Sequence, residues 1–449
     1  MRRHAKGSQR TQDKRKSLPT KTTSSTRWSR TLRAVWLLGI SGLPAGAACA
    51  RPPLPVAAPL PALNLAHFDH LFAETRLGGE LVGVMRIYSS YPNYNYAIEP
   101  REGYACVDDA ARAIVLLAGL PGVESDSHRM RQLELLTRFV LAMQNSNSYF
   151  NNFIWADGRI NTTYYTTVAE LNWWSLRALW GLESAYRVIH RDSPLAADIR
   201  AATARLVANL QRDLAVGGRR TRIVDGFYVP TWLPAGSGAD QAAVAVLGLL
   251  PHYARTHDAQ TRALIVALAE GMEQMQAGDR RHFPYGLHLS SENKWHGWGS
   301  DEAFALLLAG NQLKRRDFIA SALAEIDGFY PYAMRQGEFA SLDLAKHGDR
   351  VVVLREQRYP QIAYAQGAMV RAAVEAYHVT GNHRYLAEGQ QIFGWFTQPH
   401  GRQPAAYDPA SGRVADGLIG SDILNRNSGA ESTVEGLMAL NALRTQDGG

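Results

Sequence analysis

The chain has 449 residues with 48 Lys+Arg against 41 Asp+Glu, but its first 50 residues hold 11 of the bases and one acid, leaving 37 against 40 in the remainder. That near-neutral remainder offers no basic face for nucleic acid. With Cys49 inside the basic leader and Cys106 the one cysteine beyond it, no disulfide is expected and the fold has to rest on an apolar core.

Residues 1–50 read as a signal peptide: a long basic region, then the uncharged run "AVWLLGISGLPAGAACA", whose apolar part is too short to span a bilayer. Ala48-Cys49-Ala50 before Arg51 has the small-x-small form of a cleavage site. Export to the periplasm or medium is expected, with Cys49 as an alternative lipid acceptor and no integral membrane span in the mature chain. Residues 51–62 form a Pro/Ala-rich linker, and 63–446 a single domain.

Beyond the linker, one pattern recurs: a loop, an acid or amide, then a run of small and apolar residues. The copies are "VDDAARAIVLL", "VAELNWWSLRALWGL", "GADQAAVAVLGLL", "SDEAFALLLAG", "AYAQGAMVRAAVEAY" and "GAESTVEGLMALNAL". Aligned on Asp109, Glu170, Asp240, Glu302, Gln366 and Glu431, they are spaced by 61, 70, 62, 64 and 65 residues, the length of a helical hairpin with its loops. Helices are expected to begin near 108, 168, 239, 301, 361 and 430. Striped helices alternate with them at 64–76, 128–144, 193–216, 257–275, 314–326 and 383–396. The 193–216 helix has Ser193 as N-cap, Pro194 at the first helical position, a stripe of Leu195, Ile199, Leu206, Leu210 and Leu214, and Gly217 as stop. Helices apolar all round are buried and striped ones cover them, so the expected fold is all-α, an (α/α)6 barrel of six inner and six outer helices.

Connections from inner to outer helices are short, whereas the returning loops 145–167, 218–238, 276–299, 327–358 and 397–429 are long. All the long loops meet the rim where the inner helices begin, and long ordered loops carry function. They are rich in aromatics and amides, which suits the C–H faces and hydroxyl edges of a carbohydrate. Candidate sugar contacts are Tyr104, Trp155, Glu170, Trp173, Trp232, Asp240, Trp295, His296, Trp298, Tyr359, Gln366, Asn425 and Asn427.

Acids at helix N-termini cap free amides and complement the dipole. Six on one axis also concentrate carboxylates in a cleft, where repulsion raises some pKa values. Hydrolysis of a glycosidic bond needs a carboxylic acid and a carboxylate. Asp109 and Glu302, from the first and fourth inner helices, face each other in a six-membered ring, and Glu431 neighbours Asp109. Asp108 and Asp301 are their rivals by one residue of register. Of the first pair, Asp108 is expected to cap and Asp109 to face the axis. No H-E-x-x-H pattern, phosphate loop or G-x-S-x-G elbow is present, so neither a metal nor any other cofactor is expected.

The stretches "YACVDDAARA", "LRALWGL", "AQGAMVRAAVEAYHVTGNHRYLAEG", "YDPASGRVADGL" and "NRNSGAES" resemble the six-hairpin glycosidase-like superfamily, whose bacterial members carry D-D-N-A-R-A-type and G-A-E-S-T-type motifs. The resemblance spans most of residues 80–445 and departs from the pattern at Ala110. It implies the same barrel and a glycan-processing role. Three functions are carried forward. The first is an exported glycoside hydrolase acting on a polysaccharide or oligosaccharide, with inversion. The second is a polysaccharide lyase using His296, Tyr359 and Arg358. The third is a non-catalytic glycan-binding protein of an exopolysaccharide system.

Overall fold

A computed structural model describes residues 59–214 and 218–446; the leader with Cys49, most of the linker and Gly217 lie outside the described residues. Six helices have both faces covered: α2 (Val107–Ala118), α4 (Trp173–Val188), α6 (Ala239–Thr256), α8 (Glu302–Leu313), α10 (Ala363–Thr380) and α12 (Ala430–Arg444). Each packs on the next, and α12 returns to α2, which closes the inner ring. Alanines and glycines let these helices approach closely. A Cβ at Gly248 would stand 2.9 Å from the Trp180 amide nitrogen, and one at Gly181 2.9 Å from Ala111 Cα, so both contacts admit glycine and nothing larger without a shift.

Five long outer helices complete the hairpins: α3 (Ser127–Ala142), α5 (Pro194–Asp213), α7 (Ala259–Gln274), α9 (Arg316–Gln336) and α11 (Arg384–Thr397). Side-chain caps fix several starts, with Asp126 accepting from His128 and Arg129 amides, Ser193 from Ala196 and Asp258 from Thr261. The chain is an (α/α)6 barrel.

Three expectations need correction. The outer helix expected at 64–76 is a single short helix, α1 (Ala66–Leu71), followed by an antiparallel hairpin of Phe72–Leu77 with Glu80–Met85 that packs on α3. The Gly78-Gly79 pair at φ +58° and +91° makes that turn, which folds Glu80–Met85 back onto Phe72–Leu77. The fifth outer helix does not stop at 326: α9 runs to Gln336 through Pro331, so the loop begins at Gly337. The second inner helix starts at Trp173, not 168, because Asn172 caps it by accepting from the Trp173 amide at 2.8 Å.

The rim loops fold as small antiparallel sheets of two or three strands. Ala105–Cys106 pairs with Phe153–Ile154 directly before α2, Lys294–His296 joins Ser341–His347 and Arg350–Gln357, and Gln361–Ile362 joins Gly417–Gly420 and Ile423–Asn425. These sheets hold the starts of α2, α8 and α10 against one another.

Candidate active site

The paired acids do not divide as expected. The cap of α2 is Cys106, whose Sγ accepts from the Asp109 amide at 3.4 Å, while the Asp108 amide donates to Asn152 Oδ1 at 3.1 Å. Asp108 is therefore free of capping. Its Oδ2 accepts from Arg112 Nη1 at 2.8 Å and its Oδ1 from Arg177 Nη1 at 2.9 Å.

Arg112, one turn into α2 and fully buried, is the hub. Besides Asp108 it reaches Asp109 Oδ1 at 3.1 Å, Glu431 Oε2 at 2.8 Å and Glu435 Oε1 at 3.0 Å. Arg371 of α10 bonds Glu435 Oε2 at 2.6 Å and Asp301 Oδ1 at 2.9 Å. Tyr364 closes the ring of contacts, donating to Asp301 Oδ2 at 3.0 Å and accepting from Arg177 at 2.6 Å. Five carboxylates thus meet three guanidiniums. The surplus of negative charge has to be relieved by a proton.

Glu435 is pushed up by burial, and so is Asp109. Burial pushes the Asp109 carboxyl up to about 7; Arg112 opposes the shift, and the charges of Glu431 and Asp108 add to it. Asp108 and Glu431 are the more open members, with side chains 20% and 41% exposed against 8% for Asp109. Oxygens of Asp108, Asp109 and Glu431 lie within 4.8 Å of one another, a spacing that could hold a cation, but Arg112 already bonds all three.

Glu302 does not face Asp109. It is buried beside Asp240, Glu325 and Asp301, its Oε1 has no hydrogen-bond partner, and burial followed by the Glu325 and Asp240 charges pushes it well above the usual carboxylate range. His296 Nε2 pairs with Asp240 Oδ2 at 3.0 Å, leaving buried Nδ1 unpartnered. Trp298, 45% exposed, stacks on that imidazole at 4.0 Å and 6°. Trp173 meets the same loop at Gly299 and lies 5.1 Å from the Arg177 guanidinium.

The other candidates take other places. Trp232 and Trp295 belong to the core rather than a sugar platform: Trp232 Nε1 donates to the Ala267 carbonyl at 2.9 Å, and Trp295 packs edge-on against Phe329 at 4.9 Å. Their setting in long loops suggested sugar contact, which packing against α7 and α9 removes. Glu170 is exposed and precedes α4, held only by Asn172 at 3.2 Å. Gln366 is buried and bonds Glu338, whose carboxyl burial pushes up to about 7. Asn425 and Asn427 shape their loop, Asn427 Oδ1 accepting from the Tyr91 amide at 3.0 Å. Tyr104 and Tyr359 are half-buried against the core, and Trp155 is half-buried in a turn closed by the Gly158 amide. Arg358 is committed to Glu356 at 2.8 Å and to the Gln336 carbonyl, which leaves the lyase reading without its uronate clamp.

Sequence reasoning did not single out Arg112, Arg177, Arg371, Tyr364 or Glu435. Their signal was present, since charged residues at the second turn of helices apolar all round have to meet counter-charges. Tyr88 was missed too: it is 43% exposed, and its hydroxyl is pushed up to about 12 by burial and by the charges of Glu102 and Asp109.

No protein-family model and no curated protein sequence matches the chain. Solved structures do. A sugar epimerase from a ruminal bacterium superposes with a TM-score of 0.61 at 11% identity, covering 85% of this chain and 96% of its own. Cellobiose 2-epimerase from Bacillus thermoamylovorans gives 0.55 at 11% identity over 81% and 92%, and a family 76 glycoside hydrolase from a bovine Bacteroides thetaiotaomicron strain gives 0.51 at 12% over 82% and 73%. The chain shares their (α/α)6-barrel fold. At these identities the six-hairpin likeness extends to the arrangement of helices, and the chemistry has to be read from the rim itself.

Proposed function

We propose that the protein is an exported, carbohydrate-active enzyme that hydrolyses a glycosidic bond at the rim, with Asp109 as proton donor. The observation that carries this reading is the buried Asp109 carboxyl, held protonated to about pH 7 within 4.8 Å of Asp108 and the exposed Glu431. A leaving-group oxygen needs a donor of that kind, and the half-exposed Trp298 and Trp173 beside the mouth offer ring faces to a sugar. Glu431, with its Oε2 on Arg112 and its more open carboxylate, is the group to attack the anomeric carbon or to activate water. Carboxyls of inverting enzymes stand about 6.5–9.5 Å apart and those of retaining enzymes about 5–5.5 Å. Which of the two applies is read from the anomer released first, inversion being the expectation from the sequence.

Turnover then requires protonated Asp109. In a pH profile of kcat on any cleaved glycan, activity is expected to fall about tenfold per unit above pH ~7. A rate still rising at pH 9 would remove Asp109 as the donor. Export rests on the basic leader and short apolar run; intact-mass analysis of the native protein should give a start near Arg51 or a lipidated Cys49, and an unprocessed residue 1 would contradict it.

One observation favours a second reading, sugar epimerisation. His296 combines an unpartnered Nδ1 with an Asp240 contact and the Trp298 stack, as a base removing a proton beside a carbonyl would. Reaction in deuterated water separates the two: epimerisation puts deuterium on carbon without new reducing ends, and hydrolysis does the reverse.

A further inference from the structure

A cavity of about 910 Å³ opens at the opposite end of the barrel from the carboxylate rim, among the C-terminal halves of the inner helices. Its walls include Leu116, Leu247, Leu250, Phe304 and Leu308. Its charged lining is almost entirely cationic. Glu183, the one acid there, is already consumed by His252 Nδ1 at 2.6 Å and Arg255 Nη2 at 2.6 Å. Arg187 and Arg191 stand exposed at the mouth, and neither side chain has an ion-pair or hydrogen-bond partner among the described residues. At the inner end lies Arg371, 6% exposed, whose terminal nitrogens hold Glu435 and Asp301 while Nε has no partner.

Two unpaired guanidiniums beside apolar walls mark a place for an anion attached to hydrocarbon. Along α4, the seven residues from Trp180, level with the inner wall, to Arg187 at the mouth correspond to about 10 Å of helix rise. We propose that this cavity is a second binding site, separate from the carboxylate rim, for an organic anion about 10 Å long. Its carboxylate or phosphate pairs with Arg187 and Arg191, and its apolar part lies against Leu247, Phe304 and Leu308. The site is independent of the reaction at the rim, although both ends share Arg371.

Isothermal titration of the intact protein with octanoate and octanol tests this. Octanoate is expected to bind saturably at one site and octanol at least tenfold more weakly. The Arg187→Gln/Arg191→Gln double variant should lose at least tenfold in octanoate affinity with an unchanged melting temperature, since both side chains are exposed and unpaired. Absence of saturable octanoate binding, equal binding of octanol, or undiminished binding by the double variant would each overturn the anion site.

Discussion

Replacing Asp109 with Asn is expected to lower turnover by on the order of 10³-fold or more while leaving the fold intact. The amide has nearly the shape of the protonated acid, keeps an oxygen for Arg112 Nη1, and carries no charge into a site already crowded by Asp108 and Glu431. It removes only the transferable proton. Stability supplies a second readout with a defined sign. The folded-state pKa is raised from 3.8 to about 7, so the stability associated with protonated Asp109 is fully present below pH ~4 and is lost as pH rises through 7. Asp109→Asn should abolish that decline, and its melting temperature should match or exceed the wild type at pH 8. An active Asp109→Asn beside an inactive, stable Asp108→Asn would assign the donor to the other member of the pair.

Arg112→Met is expected to be the most destabilising single change at the rim, by about 3–5 kcal/mol in chemical denaturation. The guanidinium is 2% exposed and serves four carboxylates. Asp108 retains Arg177, and Glu435 retains Arg371, but Asp109 and Glu431 keep no other guanidinium within bonding distance. Methionine fills comparable volume, so lost charge rather than a cavity dominates the cost. Burial already pushes Asp109 and Glu435 upward, and without Arg112 both should titrate higher still. Lowering the pH to about 4 should therefore recover part of the loss. A variant as stable as the wild type at pH 8 would mean that the carboxylates share their charge with solvent instead of Arg112.

The inner ring was legible because its helices are apolar on every face, a pattern that only a closed core satisfies. Expected starts at 239 and 430 coincide with Ala239 and Ala430, and those at 108 and 301 fall one residue from Val107 and Glu302. The outer layer was less legible because one face is enough to cover a neighbour. A six-residue helix and a hairpin do at 66–85 what a longer helix does elsewhere, and the period over so few residues does not distinguish them. The helix expected to end at 326 instead continues through Pro331 to Gln336. At the rim, acids were visible at the start of each copy, but α6, α8, α10 and α12 lack any side-chain cap, so capping does not explain them. Which acids meet depends on the arginines one or two turns deeper. Arg112, Arg177 and Arg371 gather Asp108, Asp109, Asp301, Glu431 and Glu435, while Glu302 turns to Asp240 and Glu325. Helical register alone could not decide between Asp301 and Glu302, since their separation of 100° about the axis leaves both near the mouth.

The most direct measurement is a reducing-end assay of the purified mature protein across a panel of bacterial and plant polysaccharides and their oligosaccharides, run beside Asp109→Asn. Hydrolysis at the carboxylate rim predicts new reducing ends from at least one glycan with the wild type, and none above background with the variant. Unchanged glycans throughout the panel, or equal release by both proteins, would contradict it.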